Sequence, residues 1–578
     1  MEIVSVGTAV SSMNAHQLAL LLSDKLFKES HMFSKGLLEV LERIVIGSLS
    51  TIRRRMNGRQ PINRLPLEIL GLIFRYVPSC PAFQFSKGAL FMWPENAIAV
   101  TSELVELTRV CRHWRDVSLE LGSLWTNYQD GMHYPDQFLK RSGAALLKVS
   151  IRGLPSPRAV DLLGSDGSRI QELYLLDVND MFSKGEGIQK YTAFTATRLE
   201  HLTLATDGDR KDYNINPDIF AGAAPRLRSL TIQSLTWLPR NQFFNLTQLC
   251  IYDRRRGGPN YESFRTAYQL SDFMKFLAGC PKLEDLTLVD IWFDTRGSSD
   301  GGLSAISLNS LRRLALGKMI PPQVLTLLSH VANSAGIATR VFGMSCGDRD
   351  FLPQLANLIP VHGMKRLQLS VGPGRSFIFA PTTSSRGARV EFNQCTGACA
   401  HCGEWINALW SKWPLLSVRE LWMTDRIILS RYNSSDRLLR TLPNVTALVI
   451  TQLETDEQRR KNFMAEFDRL IVALTTSRNA PADSVLYMPH LAVVHLWFCG
   501  QPVDPSLLIK FSAARAQLGH PIRQLIVEFA SPHSSFDSAL SVLRNHVGRV
   551  DIRVSKKPPS RDLPVACTTG VHEFWPSW

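Results

Sequence analysis

The sequence lacks a hydrophobic run long enough to cross a membrane. A spanning helix needs about 20 consecutive apolar residues, whereas the early apolar stretch at 18–22 is followed at once by Asp24 and Lys25. A secretory signal begins with basic residues, but this chain carries Glu2 and no basic residue before Lys25. These absences predict an intracellular protein, cytoplasmic or nuclear or both, that does not bind membranes.

Cysteine is also scarce, with ten residues in a chain of 578 and most of them isolated. This usage is typical of reduced thiols rather than of a disulfide framework. One cluster stands out, formed by Cys395, Cys399, His401 and Cys402. Thiolates and imidazole at this spacing can bind zinc, but no second pair of ligands follows. A cysteine-rich loop is therefore the preferred interpretation, no metal is predicted, and zinc binding stays open.

Enzyme signatures are missing as well. The sequence has no phosphate-binding Walker loop, no dinucleotide-binding glycine motif, no Gly-x-Ser-x-Gly elbow and no His-Glu-x-x-His helix. We therefore expect no catalytic residues, no cofactor and no enzymatic activity.

What the chain does have is length and positive charge. Its 65 basic and 51 acidic residues give a formal net charge of +14. A single core stops growing at roughly 250–300 residues, so the chain forms several domains or an extended repeat. Basic clusters at 53–55, 254–256 and 556–557 lack the interleaved aromatic residues that stack on bases. Nucleic acid is therefore not an expected partner.

The N-terminal part of the chain predicts helices. Residues 1–60 carry apolar residues at helical spacing, and Pro66 then suits the first turn of a further helix. That helix has two apolar stripes, Ile69 with Ile73 and Leu70 with Phe74. A helix that is apolar on two sides buries one of them in its own domain and needs a partner for the other.

After a loop or insertion at 78–101, a second helix is predicted to begin near Ser102 and to end at Gly122. Apolar residues recur along it at steps of three and four, namely Leu104, Leu107, Val110, Cys111, Trp114, Val117 and Leu121. The two helices together define a domain at about 61–130, with the insertion inside it.

Three linked motifs make this segment specific: Leu65-Pro66-x-Glu68-Ile69-Leu70-x-x-Ile73-Phe74, Val110-Cys111-Arg112-x-Trp114-Arg115 and Leu124-Trp125. The segment resembles the F-box family, and most of all the F-box-like proteins of mushroom-forming fungi, in which long inserts between the helices are common. The alternative is an ordinary helical hairpin with tryptophans in its core. That alternative explains the apolar spacing but not the combined motifs.

The resemblance implies a partner, the Skp adaptor, and through it a cullin scaffold. The positions that match the motifs, and are therefore expected to face the adaptor, are Leu65, Pro66, Glu68, Ile69, Leu70, Ile73, Phe74, Val110, Cys111 and Trp114. The protein would then be the substrate receptor of an SCF-type ubiquitin ligase and would catalyse no step itself. The alternative is a repeat scaffold whose F-box helices only cap the repeats.

From residue 140 to 555, a short pattern recurs: apolar, two variable, apolar, one variable, apolar. Leu199-Leu202-Leu204 and Leu283-Leu286-Leu288 are two of its thirteen copies. Each copy alternates like a strand, and helical stretches such as 463–474 lie between copies. Strand and helix repeating at roughly 20–29 residues are typical of leucine-rich repeats. The predicted fold is α/β, an irregular leucine-rich-repeat solenoid of parallel strands and helices followed by a tail at 556–578. A doubly wound α/β domain is the alternative.

The variable positions of each copy are expected to point outward, opposite the apolar ones. In the early copies they are modest and polar, namely Glu172, His201, Thr203, Ser229 and Thr231. In the later copies they are Arg366, Gln368, Glu420, Trp422, His495 and Trp497. Because Trp and Arg are enriched at binding hot spots, the later copies are predicted to bind the target protein. The alternative is that inserted loops cover Trp422 and Trp497.

Overall fold

The computed structural model describes residues 13–77, 102–177, 188–206, 217–235, 237–253, 267–294, 305–331, 337–345, 351–358, 363–371, 376–383, 386–393, 413, 415–424, 435–453, 457–475, 486–499, 504–531, 536 and 538–560. The predicted insertion at 78–101, the cysteine cluster at 395–402 and the tail beyond residue 560 lie outside the described residues. The chain divides into two compact units. The first comprises Met1–Ala82, Ala99–Asn127 and Tyr134–Ala145, and the second comprises Phe83–Ile98, Tyr128–His133 and Leu146–Trp578.

The first unit is helical. Its helices are α1 (Ala15–Glu29), α2 (Lys35–Gly58), α3 (Leu67–Phe74), α4 (Ser102–Val110), α5 (Arg112–Glu120) and α6 (Pro135–Ser142). A capping box starts α1, in which the side chain of Asn14 accepts from the N–H of Gln17 and the side chain of Gln17 accepts from the N–H of Asn14. No residue of α1 or α2 is buried. Among the described residues, no helix combines the length and apolar character of a membrane span.

The single helix predicted after Ser102 is wrong, because the chain breaks at Cys111 into α4 and α5. Cys111 is extended, with φ −160° and ψ 170°, and its Sγ accepts from the N–H of Trp114 at 3.4 Å. It therefore caps α5 in the way that Ser or Asp caps other helices. Apolar residues keep steps of three and four on both sides of Cys111, so the periodicity does not reveal the break.

Trp125 lies in the core of the helical unit. Its ring is 1 % exposed, and its Nε1–H donates to the carbonyl of Ser118 at 2.7 Å. Phe138 packs edge-on with ring centroids 4.9 Å apart, and the Arg141 guanidinium lies 4.5 Å from the ring centroid. These contacts tie α6 to the turn that follows α5.

The second unit is built from strands with helices between them. The strands, with β1 beginning in the first unit, are β1 (Asn127–Gln129), β2 (Leu147–Arg152), β3 (Ile170–Leu176), β4 (His201–Ala205), β5 (Ser229–Gln233), β6 (Gln248–Tyr252), β7 (Ala267–Gln269), β8 (Asp285–Val289), β9 (Trp292–Asp294), β10 (Arg313–Gly317), β11 (Ala338–Ser345), β12 (Arg366–Val371), β13 (Ser376–Thr382), β14 (Ala388–Asn393), β15 (Glu420–Thr424), β16 (Ala447–Gln452), β17 (Val493–Phe498), β18 (Gln524–Phe529) and β19 (Arg549–Val554). The helices are α7 (Pro157–Asp166), α8 (Leu270–Ala278), α9 (Pro321–His330), α10 (Phe351–Leu358), α11 (Ser435–Thr441), α12 (Glu457–Thr475), α13 (Pro505–Gln517) and α14 (Leu540–Arg544).

All thirteen copies of the apolar pattern are confirmed as strands, and the fold is α/β. Seventeen strands join in one sheet, in the spatial order β1-β2-β3-β4-β5-β6-β8-β10-β11-β14-β13-β12-β15-β16-β17-β18-β19. Strands β7 and β9 form a separate parallel pair. The apolar pattern residues are buried, as the period of two requires, except in the first and last copies, where Leu146 is exposed and Val550 and Ile552 are half-buried.

A left-handed residue recurs directly after several strands. Asp177, Ser234, Asp290 and Lys318 follow β3, β5, β8 and β10 and have φ between 52° and 58°. This conformation costs a non-glycine residue roughly 1 kcal/mol. The N–H groups of Ser234 and Asp290 donate to the last carbonyl of the neighbouring strand, as Asp290 does to Gly317 at 2.8 Å, and the N–H of Lys318 donates to Phe342 within β11. The same turn therefore recurs along the sheet, although its residues share no side-chain type.

One part of the sheet departs from the predicted parallel arrangement. Strand β13 pairs antiparallel with both β12 and β14, whereas β14 is parallel to β11 and β12 is parallel to β15. The chain thus folds back twice between residues 366 and 393, and the spatial order of these three strands is the reverse of their order in sequence. Neither β13 nor β14 carries the repeated apolar pattern, which explains why that pattern did not predict them.

Arg515, on α13, is buried and has no carboxylate partner among the residues that the structure describes. It has no exposed surface, and its guanidinium donates to the carbonyls of Leu474, Tyr487, Met488 and Leu491 at 3.0–3.5 Å. Leu474 lies in the last turn of α12, whose final carbonyls have no partner within the helix. Burial lowers the pKa of Arg515 to about 10. The side chain therefore joins α12, α13 and the turn before β17.

Candidate functional site

Helix α3 has one buried and one exposed apolar face. Leu70 and Phe74 have no exposed surface, whereas Ile69 is 43 % and Ile73 38 % exposed. Leu67, Leu72 and Tyr76 are exposed beside them. This exposed apolar face, defined as Ile69, Leu72, Ile73 and Tyr76, leaves four large apolar side chains in water on and just after a short helix. Clustered exposure of this kind marks interaction surfaces.

Leu70 and Phe74 are predicted to contact the adaptor, but the structure places both in the core. Both point into the helical unit, where the ring of Phe74 packs against Trp114 with centroids 5.0 Å apart. Gly71 lies between them, and a Cβ there would come within 2.7 Å of Leu121 Cδ1, so the helix packs closely against its neighbour. A side chain with no exposed surface cannot contact a partner protein unless the domain opens.

The start of α3 offers the remaining predicted contacts on this helix. Pro66 is exposed at the N-cap position, one residue before the predicted first turn, and Leu65 is half-buried. Glu68 is exposed in the first turn, where a carboxylate favours the positive end of the helix dipole. These three residues lie next to Leu67, which the sequence motifs did not single out. Helical spacing places Leu67 on the side of Leu70 and Phe74, and it is exposed as the first residue of α3.

The junction of α4 and α5 holds the other three predicted contacts, Val110, Cys111 and Trp114. Val110 is 56 % exposed, so it can meet a partner. Cys111 and Trp114 are half-buried. The Nε1–H of Trp114 donates to Oδ1 of Asn63 at 2.6 Å, and Nδ2 of Asn63 donates to the carbonyl of Asn57. Trp114 therefore links α5 to the chain that precedes α3, which favours a role in folding.

The family model described as F-box-like matches residues 62–128. The match contains α3, α4, α5 and every predicted adaptor residue. The protein therefore contains an F-box-like domain, and this part of the sequence prediction is confirmed. No curated protein matches the chain.

The predicted target residues lie in two groups on the sheet. Arg366 and Gln368 of β12 lie opposite Glu420 and Trp422 of β15 in a parallel register. The Nε–H of Arg366 donates to Glu420 Oε2 at 2.9 Å, and the Nε1–H of Trp422 donates to the other oxygen of the same carboxylate. All four side chains are half-buried. Their ion pair and hydrogen bond hold the indole of Trp422 in place.

The second group lies on β17, two strands away from β15. His495 Nε2 is 3.5 Å from Glu528 Oε2, and the Nε–H of Arg553 donates to the other oxygen of Glu528. Burial lowers the pKa of His495, the Glu528 carboxylate raises it, and the Arg553 charge lowers it, with burial the largest effect. His495 is therefore part of a row of polar side chains along β17, β18 and β19, in which Glu528 is buried, His495 half-buried and Arg553 exposed.

Trp497 is predicted to contact the target, but the structure buries its side chain. It is 4 % exposed, and its Nε1–H donates to the carbonyl of Ser555 at 3.2 Å. The chain that leaves β19 supplies this acceptor. Trp497 therefore stabilises the end of the sheet, and the alternative that this tryptophan is covered fits the structure better.

The outward positions of the early copies are also buried in part. Thr203, Ser229 and Thr231 are less than 9 % exposed, whereas Glu172 and His201 keep intermediate exposure. Further along the same face, Cys250, Val289 and Phe342 form an apolar cluster. The prediction that early outward positions face solvent is thus wrong for three of five, because neighbouring side chains on this face pack closely together.

Among the described residues, no group of three His, Cys, Asp or Glu side chains could hold a metal ion.

Proposed function

We propose that the protein is the substrate receptor of an SCF-type ubiquitin ligase, in which the F-box-like domain binds a Skp adaptor and the strand array binds a target. The carrying observation is the two-sided helix α3, whose buried face completes the domain while Ile69 and Ile73 remain exposed. F-box domains generally bind Skp-type adaptors, and an exposed apolar face on the matched segment supports that partner.

In this proposal the protein itself performs no chemistry. It raises the local concentration of a target near the conjugating enzyme by holding both parts of the assembly. The cullin scaffold joins through the adaptor. Arg366, Gln368, Glu420 and Trp422 are the favoured target contacts on the later strands, since their side chains are partly accessible and held by the Arg366–Glu420 ion pair.

We propose further that the strand array is an irregular leucine-rich-repeat solenoid. Its support is the recurring strand, the helices between strands, and the left-handed turn residue that follows β3, β5, β8 and β10. Each strand buries its pattern leucines against neighbouring repeats, as stacked repeats do. Similar F-box-like repeat proteins in mushroom-forming fungi motivate this assignment.

The experiment is co-expression of the full chain with a Skp adaptor, followed by purification through the chain and measurement of the adaptor ratio. Wild type is expected to bring down one adaptor per chain. Ile69→Glu with Ile73→Glu is expected to lose it, because each interface hot spot contributes about 2 kcal/mol or more. Thermal melting should be unchanged, since both side chains are exposed.

The matched control is Leu37→Glu with Ile44→Glu on α2. These residues are 44 % and 56 % exposed and add the same charge within the same unit. The control is expected to keep the adaptor. A wild-type chain that captures no adaptor would instead favour the alternative, a non-catalytic scaffold whose F-box helices only cap the repeats.

A further inference from the structure

The N-terminal edge of the sheet carries a regular backbone network. The carbonyl of Glu200 accepts from the N–H groups of both Arg228 and Ser229, at 2.9 and 3.0 Å. The carbonyl of Arg228 accepts in the same way from Thr247 and Gln248. Every N–H group in these pairs is thus used within the sheet, so only side chains remain free to bind a ligand there.

Side chains at this edge surround an open cleft of about 380 Å³ between the starts of β4, β5, β6 and β8. Arg226, Asn245 and Lys282 occupy the same place in three successive copies, each directly before the first pattern leucine. Arg228 and Glu200 complete the polar lining. We call this feature the basic cleft.

The charge of the basic cleft is not balanced. Within the described part of the chain, neither Arg226 nor Arg228 makes a side-chain hydrogen bond or ion pair, and both are exposed. The Nζ of Lys282 donates to the neutral Oδ1 of Asn245 at 2.8 Å and pairs with no carboxylate of the described ranges. Glu200 is the single carboxylate in the lining, and it accepts from Gln171 at 3.2 Å.

Several cations elsewhere on the sheet have a carboxylate partner. Arg313 lies 2.7 Å from Asp285, Arg366 pairs with Glu420, and Arg553 pairs with Glu528. Even Glu284, at the same edge as the cleft, is paired with Arg312 at 3.6 Å and so does not neutralise Lys282. Among the described residues, Arg226, Arg228 and Lys282 thus gather three cations without a carboxylate partner around one cleft.

We propose that the basic cleft binds an acidic, extended segment of a target protein through its Asp or Glu carboxylates. Arginine forks match carboxylates in a bidentate geometry. Parallel strands lie about 4.8 Å apart, so Arg226 on the β5 copy and Lys282 on the β8 copy are separated by roughly 10 Å, close to the reach of three extended residues. The cleft thus fits acidic residues spaced along a strand-like segment.

Two further observations favour a carboxylate-bearing peptide over a phosphate group. Phosphate sites are commonly built from backbone N–H groups, and those of the pairs at this edge are already bonded to carbonyls. Phe244, next to Asn245, is 59 % exposed and offers an apolar contact that a free anion would not use. The inference rests on the proposed function only in taking the bound segment to be part of a target.

The test measures binding of labelled peptides to the purified full chain, without adaptor, by fluorescence anisotropy. The probe is an extended peptide with alternating Glu residues and one Leu, compared with its Gln version, a phosphoserine version and a single-stranded oligonucleotide. Wild type is expected to bind the Glu peptide most tightly, with affinity that falls as salt rises. Changing Arg226, Arg228 and Lys282 to Glu is expected to weaken binding by roughly tenfold or more.

A matched variant reverses three exposed cations on helices, Lys275, Arg469 and Lys510, and so makes the same change in net charge. It is expected to bind like wild type. Equal losses in both variants would show that net charge alone attracts the peptide, and this would overturn the basic cleft. Preference for the phosphoserine peptide or the oligonucleotide would overturn the carboxylate assignment. If the Glu variant melts early, the Gln variant of the same three residues repeats the comparison.

Because no adaptor is present, failure of this test leaves the adaptor experiment on Ile69 and Ile73 unaffected. Loss of adaptor binding in that experiment would likewise leave the basic cleft intact. The two proposals are therefore tested separately.

Discussion

Helix α3 and the strand array treat apolar side chains in opposite ways. In the array, pattern residues such as Leu202, Leu286 and Leu367 are almost completely buried. On α3, Ile69 and Ile73 remain in water although they are equally apolar. The leucines of the array alternate along their strands and lie together on one face of the sheet, where they are buried. Helix α3 packs only one of its two apolar faces against the helical unit, so the other face stays exposed. Buried apolar residues therefore stabilise the fold, whereas the exposed ones are available to a partner.

The largest expected effect tests that separation directly. Leu286→Ala should lower the free energy of unfolding of the strand array by about 2–5 kcal/mol, because the side chain has no exposed surface and its removal leaves a cavity. Ile69→Ala should change the stability of the F-box-like domain by less than about 0.5 kcal/mol. Denaturant unfolding followed by domain-specific fluorescence would measure both. A large loss from Ile69→Ala would break the comparison, since it would place Ile69 in the core.

The next effect concerns the buried cation of the array. Arg515→Met should destabilise the C-terminal strands by roughly 3 kcal/mol, because carbonyls of Leu474 and Met488 lose a buried charged donor. Arg469→Met is the control, since Arg469 pairs with Glu466 on the surface and such pairs contribute about 0–1 kcal/mol. Equal melting of the two variants would show that methionine packing replaces the arginine without loss.

A smaller effect is expected at Trp114, which stands between the two faces of the F-box-like domain. Trp114→Phe keeps the ring against Phe74 but removes the hydrogen bond to Asn63, so we expect a loss of about 1 kcal/mol. Trp114→Ala should lose about 3 kcal/mol and become sensitive to protease. If the alanine variant melts like wild type yet binds no adaptor, Trp114 acts as an interface residue and its assignment to the fold is wrong.

The smallest effect is a pH dependence of the array. Burial, acting with Arg553 and against Glu528, lowers the pKa of His495 in the folded state. The unfolded chain then binds more protons below about pH 6.5, so stability should fall as the pH drops from that value. His495→Asn should reduce this slope in melting curves recorded between about pH 7 and pH 5. A slope of the opposite sign would mean that Glu528 outweighs burial.

The apolar core could be predicted from the sequence because it depends on period and residue type alone. All thirteen repeated patterns became strands, and Leu70 and Phe74 separated from Ile69 and Ile73 as two stripes on α3. The F-box motifs were recognisable for a similar reason, since Pro66 and Glu68 mark one end of one helix. Both features depend on the spacing of residues along the chain, which can be read directly from the sequence.

Positions that depend on distant neighbours could not be predicted in the same way. Trp497 was expected to be accessible, but its fate depends on Ser555, 58 residues later in the chain. Val341 of β11 pairs with Val390 of β14, although α10, β12 and β13 lie between these two strands in the chain. The sequence also could not predict that Arg226 and Arg228 form no ion pair within the described ranges. It shows which residues are charged but not which of them come into contact. Exposure, pairing and strand order are therefore properties of the assembled sheet.

The reversed strands β12, β13 and β14 have a consequence for the order in which the array folds. Antiparallel neighbours joined by short turns bring their partners together within a few residues, whereas parallel strands wait for a crossover of a dozen or more. Contacts between near neighbours in the chain form fastest because little loop entropy is lost. We therefore expect amides of residues 366–371 and 376–382 to be among the first protected in pulsed hydrogen exchange, so that assembly spreads from the middle of the sheet towards both ends. Earlier protection of β2 or β19 would place the starting point at an end.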